Sequence, residues 1–252
     1  MVKGLDLFRE HFREYTDRYV LIGGAACDLA MGEAGLDFRA TKDLDIVLCV
    51  EALDRVFVAA FWTFVRDGKY QLQEESTGKK HYYRFQKPDT EGYPFMLELF
   101  SRVPDALSLA DDSHLTPIPT EEDVSSLSAI LMSDDYYYYL HTGKKELDGL
   151  SFVGPEHLVP LKAKAWLDLS ERRSQGEAVD SKSIKKHRND VFRLYQILSP
   201  DFDGEVPDSV KDDMRRFCSR MEMEEIDLKS LGLGATDLKS VLAGIRSTYD
   251  LD

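Results

Sequence analysis

The chain of 252 residues is 43% hydrophobic and 11% aromatic, which excludes a disordered polypeptide and suits one large domain or two small ones. A net charge of −14, from 32 basic and 46 acidic side chains, excludes a protein that coats nucleic acid, and nothing resembles a polybasic membrane tail. Cys27, Cys49 and Cys218 are odd in number without CxxC spacing, and no apolar run approaches the roughly 18 residues of a membrane span, which sets aside disulfide frameworks, zinc knuckles and transmembrane proteins.

The opening MVKGLDLFREHFREYTDR is charged throughout and lacks the apolar segment of a leader, so the expectation is an unprocessed cytoplasmic protein without membrane contact. Within it, Leu5, Phe8, Phe12 and Tyr15 fall at helical spacing. Residues 19–22 form a β-prone run ending at Gly23 and Gly24, residues 25–31 a helix closed by Gly32 and Gly35, and residues 44–50 a second strand. A helix is expected over 52–65 with Val56, Ala60 and Phe64 on one face. Strands are expected over 81–85 and 95–100, separated by the turn KPDTEGYP, and again over 128–132, before a short aromatic helix at 135–140.

From about residue 150 helical periodicity takes over, in segments 155–169, 181–198, 207–221 and 237–248. There is no repeat or low-complexity linker, so the expectation is two packed domains, residues 1–150 and residues 151–252. Charge is divided unevenly along the chain. Residues 1–150 carry 16 Lys and Arg against 27 Asp and Glu, a balance of −11, whereas residues 161–200 carry 9 against 5, a balance of +4.

The segment KDLDIVL poses the functional question. Alternation along a strand places Asp43 and Asp45 on one face and Leu44, Ile46 and Leu48 on the other. A Cα separation of about 6.5 Å lets two carboxylates converge on cations roughly 3.5–4 Å apart, the spacing used for phosphoryl displacement. The competing reading is a strand end whose acids face solvent. Upstream, Gly23 and Gly24 stand between a strand and a helix, where backbone N–H groups can approach a phosphate at the positive end of the helix dipole. Glu98, isolated among apolar residues in PFMLELF, needs compensation if its strand is buried, and a metal is one form of it; solvent exposure on an alternating strand is the other reading.

LIGGAACDLA followed by RATKDLDIVL resembles the glycine and DxD motifs of the nucleotidyltransferase fold superfamily, and is most similar to AbiEii-type nucleotidyltransferases of bacterial toxin and antitoxin systems. The resemblance rests on Gly23, Gly24, Arg39, Thr41, Asp43 and Asp45. It continues in EHLVPLKAKAWLDL, where Lys162 matches the family lysine, and in KKHRNDVFRL, where Asp190 matches the family acid. It covers about residues 19–198, departs from the family in having a glutamate at position 98 rather than aspartate, and leaves 201–252 unmatched.

Periodicity adds that Lys162 lies four residues from Leu158 and from Trp166, inside an apolar stripe; a phosphate-neutralising cation and a snorkelling side chain both explain such a position. His187 reads as a core histidine, KKHR at 185–188 as a solvated face or an acceptor contact, and Tyr136–Tyr139 as split between core and surface. LGLG at 231–234 reads as a turn with Thr236 as N-cap, and the sequence pattern offers no evident base for Cys27.

The expectation is an α+β protein: a mixed β-sheet nucleotidyltransferase-fold domain flanked by helices, followed by an all-helical domain that completes a catalytic cleft. The resemblance implies transfer of a nucleoside monophosphate from an NTP to an acceptor hydroxyl on a small molecule, RNA end or protein. Asp43, Asp45 and Glu98 would hold two Mg2+ ions, with Mn2+ as a substitute. Gly23, Gly24, Arg39, Thr41 and Lys162 would bind nucleotide, Asp190 would assist catalysis, and an antitoxin protein would be a partner. The alternatives are a nucleotide-sensing or partner-binding module without activity and a metal-dependent phosphohydrolase.

Overall fold

Aromatic side chains of the first helix start the core. In α1 (Leu5–Phe12) the buried residues are Leu5, Phe8 and Phe12, and the chain runs through a single 3-10 turn at Arg13–Tyr15 into β1 (Tyr19–Ile22), all four of whose residues are buried. The computed structural model describes residues 2–74, 82–103, 115–117 and 128–251. Of the expected strand at 81–85, His81 lies outside the described residues.

After α2 (Gly23–Glu33), α3 (Arg55–Asp67) begins where the Asp54 carboxylate accepts the Phe57 N–H at 2.8 Å, later than the sequence pattern places it. Its inward face carries Phe57, Phe61 and Phe64, while Val56 is 63% exposed. The apolar arc of this helix is wide enough to include Val56 and Ala60, so periodicity alone does not single out the buried face; the aromatics occupy the core because they remove the most surface from water. Phe12 meets Phe64 with centroids 5.3 Å apart, and Phe61 meets Phe85 at 5.4 Å.

The sheet is mixed. Its strands are β1, β2 (Asp43–Leu48), β3 (Gln71–Glu74), β4 (Tyr82–Gln86), β5 (Met96–Ser101), β6 (Leu115–Pro117), β7 (Ser128–Leu131), β8 (Lys144–Leu147) and β9 (Leu150–Val153), with α4 (Asp134–Thr142) preceding β8. The main path is β3-β4-β5-β2-β1-β9-β8, with β7 beside β5 and β6 beside β7. β2 runs antiparallel to β1 and parallel to β5, which puts β1 and β2 in the interior. The β8–β9 hairpin turns at Asp148 and Gly149, both at positive φ (50° and 76°), as a two-residue loop matching the right-handed twist of the strands requires.

The chain divides into two units, Met1–Leu29 with Arg39–Val153, and Ala30–Phe38 with Gly154–Asp252. α2 (Gly23–Glu33) therefore begins in the first and ends in the second. The second unit holds α5 (Pro155–Ser174), α6 (Ser181–Tyr195), α7 (Asp208–Met221) and α8 (Leu238–Thr248). Trp166 of α5 packs edge-on to Phe217 of α7 at 5.5 Å. Asp237, not Thr236, caps α8, its carboxylate accepting the Ser240 N–H at 2.8 Å, and the first two residues of LGLG end a 3-10 turn at Leu228–Leu231 closed by left-handed Gly232. Inside α5, Pro160 has no N–H for the Glu156 carbonyl; that oxygen instead accepts the hydroxyl of Tyr249 at 2.8 Å.

Candidate functional site

β1 runs into α2 without a gap, and Gly23 makes the junction at φ +67°, a conformation that other residues adopt at a cost. The space beside it is filled by Asp45: a Cβ on Gly23 would lie 1.8 Å from the Asp45 Oδ2. The same holds one residue on, where a Cβ on Gly24 would lie 2.5 Å from the Thr41 hydroxyl. Both glycines are buried. The close approach that the glycine pair permits is thus made by Asp45 and Thr41 of this chain, and it sets the Asp45 carboxylate at the positive end of the α2 dipole.

Register aligns the acids. Ile22 pairs with Asp45 across β1 and β2, Asp45 with Glu98 across β2 and β5, and Glu98 with Arg84 across β5 and β4. Paired residues share a face, so Asp45, Glu98 and Arg84 form a row, with Asp43 two positions along β2 on the same side. Asp43 and Asp45 are half-buried and Leu44, Ile46, Val47 and Leu48 buried, so alternation holds through Ile46, with Val47 and Leu48 both buried beyond it. Glu98, 13% exposed, is held by Arg84, whose Nε donates to its Oε1 at 2.6 Å and whose Nη2 pairs with the same oxygen. The compensation that a carboxylate on this strand requires is supplied by the guanidinium, so burial alone gives no reason to assign Glu98 to a metal.

Asp43 differs. Its Oδ1 is buried and has no hydrogen-bond partner among the described residues. The basic residue beside it in sequence, Lys42, places its Nζ 3.9 Å from the centre of the Phe95 ring. An unsatisfied carboxylate oxygen next to a second carboxylate is a donor set that suits a hard divalent cation. No group of three or more His, Cys, Asp and Glu side chains forms a metal site among the described residues, so the fit rests on the Asp43 and Asp45 pair. Arg39 is half-buried on the segment leading into β2, and its Nη1 donates to the Ala40 carbonyl at 3.4 Å.

Lys162 and Asp190 belong to the other unit, where α5 and α6 bring them together. Nζ lies 3.5 Å from Asp190 Oδ2, with the side chains 4% and 0% exposed. The ammonium therefore does not snorkel; it faces an acid 28 residues away in sequence, and Arg193 joins the pair with its Nη1 3.4 Å from Asp190 Oδ1. KKHR is divided by its helix: Lys185 and Arg188 line a groove, with Arg173 of α5 and Arg220 of α7, neither of which periodicity singles out. Among the four tyrosines of α4, Tyr138 is half exposed at 50% and the others are buried. Cys27, Cys49 and Cys218 are buried free thiols; burial raises Cys49 to about 12 and Cys218 to about 11, which removes both as nucleophiles.

No family model and no curated relative matches the chain. Among solved structures it is similar to JHP933 from Helicobacter pylori, at 13% identity and a TM-score of 0.43, over 98% of this chain and 89% of that one. A likeness at that level assigns no activity. Among the described residues, no helix is long and apolar enough to cross a membrane.

Proposed function

We propose that the chain is a Mg2+-dependent nucleotidyltransferase that moves a nucleoside monophosphate from an NTP to an acceptor hydroxyl. The observation that carries this reading is the β1–α2 junction, where Gly23 admits the Asp45 carboxylate and Asp43, on the same strand face, keeps a buried oxygen without a partner among the described residues. The resemblance of LIGGAACDLA and RATKDLDIVL to AbiEii-type enzymes supports it, and with it a role as a toxin whose partner is an antitoxin protein. The acceptor is a small molecule, an RNA end or a protein.

In this reading Asp43 and Asp45 hold the cation, and Thr41, packed on Gly24, fixes the entry to β2. When bound, Mg2+ or Mn2+ supplies charge neutralisation for the triphosphate and polarises the acceptor hydroxyl. Transfer forms a bond from the acceptor oxygen to the α-phosphorus, breaks the α–β phosphoanhydride, and releases pyrophosphate and the hydroxyl proton. The chain supplies position and charge instead of a nucleophile. Lys162, paired with Asp190, acts by fixing the α5–α6 packing, and reaches phosphate only if that pair opens.

A second reading, a nucleotide-binding module without turnover, is favoured by the Arg84–Glu98 pair, which ties up the acid that would complete a three-carboxylate set. The test is incubation with NTPs labelled at the α-phosphate, Mg2+ and a fractionated cell extract. Label on an acceptor with pyrophosphate release supports transfer. Phosphate release without transfer indicates a hydrolase, and saturable binding with no product indicates the sensing module.

A further inference from the structure

The second unit carries a groove of about 660 Å3 whose lining includes Arg173, Lys185, Arg188 and Arg220 against one acid, Glu224. Arg188 is neutralised by Glu224 at 2.5 Å. Arg220 lies over the Trp166 ring, its guanidinium 6.0 Å from the centre, and has no carboxylate partner among the described residues. Arg173 and Lys185 have no carboxylate partner among the described residues. Three uncompensated cations thus converge on one concavity of a chain with net charge −14. Like charges held together are unfavourable unless an anion joins them.

The rest of the lining narrows the ligand. Ser170, Ser181 and Ser219 place hydroxyls among the cations, and Trp166, Ile184 and Met223 form an apolar wall. Met223 is 89% exposed, an unusual position for a large apolar side chain at the rim of a charged groove. The volume lies within the roughly 300–1,000 Å3 of small-molecule sites. An extended nucleic acid draws its affinity from about 6–10 phosphate contacts, more than three free cations provide.

We infer that this groove is a binding site for a small ligand that carries two or more phosphates and an apolar or ring-bearing part, the chemistry of a nucleoside di- or triphosphate. Arg173, Lys185 and Arg220 take the phosphates, the Ser170 and Ser181 hydroxyls donate to their oxygens, and Ile184 and Met223 cover the remainder. The site uses fixed cations and no metal, so it is chemically distinct from the carboxylate pair of the first unit and does not rest on the transferase reading.

The experiment uses the full chain with Trp62→Phe, in which Trp166 is the one remaining indole. Its fluorescence is titrated with ATP and separately with tripolyphosphate, in EDTA. Saturable binding of both, tighter for ATP, is expected. Arg173→Glu with Lys185→Glu is expected to weaken it by about tenfold or more while leaving the melting temperature unchanged, because both side chains are exposed. Asp43→Asn is expected to leave it intact, whatever it does to turnover. Absence of saturable binding, binding indifferent to the double reversal, or binding by an oligonucleotide alone overturns the inference.

Discussion

Lys162 and Asp190 form a buried ion pair, Nζ to Oδ2 at 3.5 Å, although the sequence pattern offers them as two separate functional residues. The pair changes what Lys162→Met does. Methionine fills the space of the lysine stem but leaves the Asp190 carboxylate buried beside the Arg193 guanidinium. Loss of one partner of a buried pair typically costs about 3–5 kcal/mol, with the Arg193 contact reducing it. Urea unfolding of Lys162→Met and of the double variant with Asp190→Asn tests this: the second change is expected to restore part of the loss. A fully stable single variant would show that the pair contributes nothing and would return Lys162 to a purely functional account.

Arg84 and Glu98 pose the same question beside the candidate site. If Arg84 withholds Glu98 from a cation, Arg84→Met leaves three carboxylates on one sheet face. The metal-free protein is then expected to melt lower than wild type, and Mg2+ to raise its melting temperature more than it raises that of wild type. An unchanged Mg2+ response would make the pair a structural cross-strand contact. The double variant with Glu98→Gln is expected to return the metal-free melting temperature towards wild type.

The two glycines are expected to differ on substitution. Gly23→Ala meets both a left-handed backbone, costing about 1–2 kcal/mol, and the Asp45 carboxylate in the same space. Gly24→Ala meets the Thr41 hydroxyl, with no positive φ. Thermal unfolding is expected to show a large loss for Gly23→Ala and a small one for Gly24→Ala, and Thr41→Ala is expected to rescue the second but not the first.

In the helical unit, Tyr249→Phe removes the hydroxyl that serves the carbonyl freed by Pro160. The bond is part-buried, and the loss of its donor is expected to cost up to about 1–3 kcal/mol. Calorimetry is the measurement, and Pro160→Ala in the same chain is expected to recover the loss by restoring the helical N–H. If both variants match wild type, water satisfies the Glu156 oxygen.

What could be read from the sequence follows the range of each signal. Strand alternation set Asp43 and Asp45 apart from Leu44 and Ile46, because period two is written locally. The β8–β9 hairpin passed unread although Asp148-Gly149 carries its turn; KKEL lacks the apolar alternation that marks a strand. On α3 the expected face shares Phe64 with the buried one but has Val56 and Ala60 where the structure buries Phe57 and Phe61, because the apolar arc is wide enough to hold both sets. The partners of Glu98 and Lys162 were out of reach for a different reason: Arg84 and Asp190 arrive from other elements, and local periodicity holds no record of which strands or helices become neighbours.

Asp43 and Asp45 carry the last prediction, and the structure separates them. Asp43 has an unpartnered buried Oδ1, so Asp43→Asn removes a charge that nothing described compensates; the metal-free protein is expected to melt at the wild-type temperature or above. Asp45 lies against Gly23 at the start of α2, so Asp45→Asn gives up a favourable charge–dipole contact of about 0.3–1 kcal/mol and is expected to melt slightly lower. Both are expected to abolish the part of the NTP stabilisation of wild type that depends on Mg2+, and to lower turnover by orders of magnitude. A strand end that merely faces solvent predicts the opposite set: equal small effects on stability, no Mg2+ response in wild type, and no dependence of activity on either residue. Full turnover in both Asn variants would remove KDLDIVL from the chemistry and leave the solvent-facing strand end as the better account of these two acids.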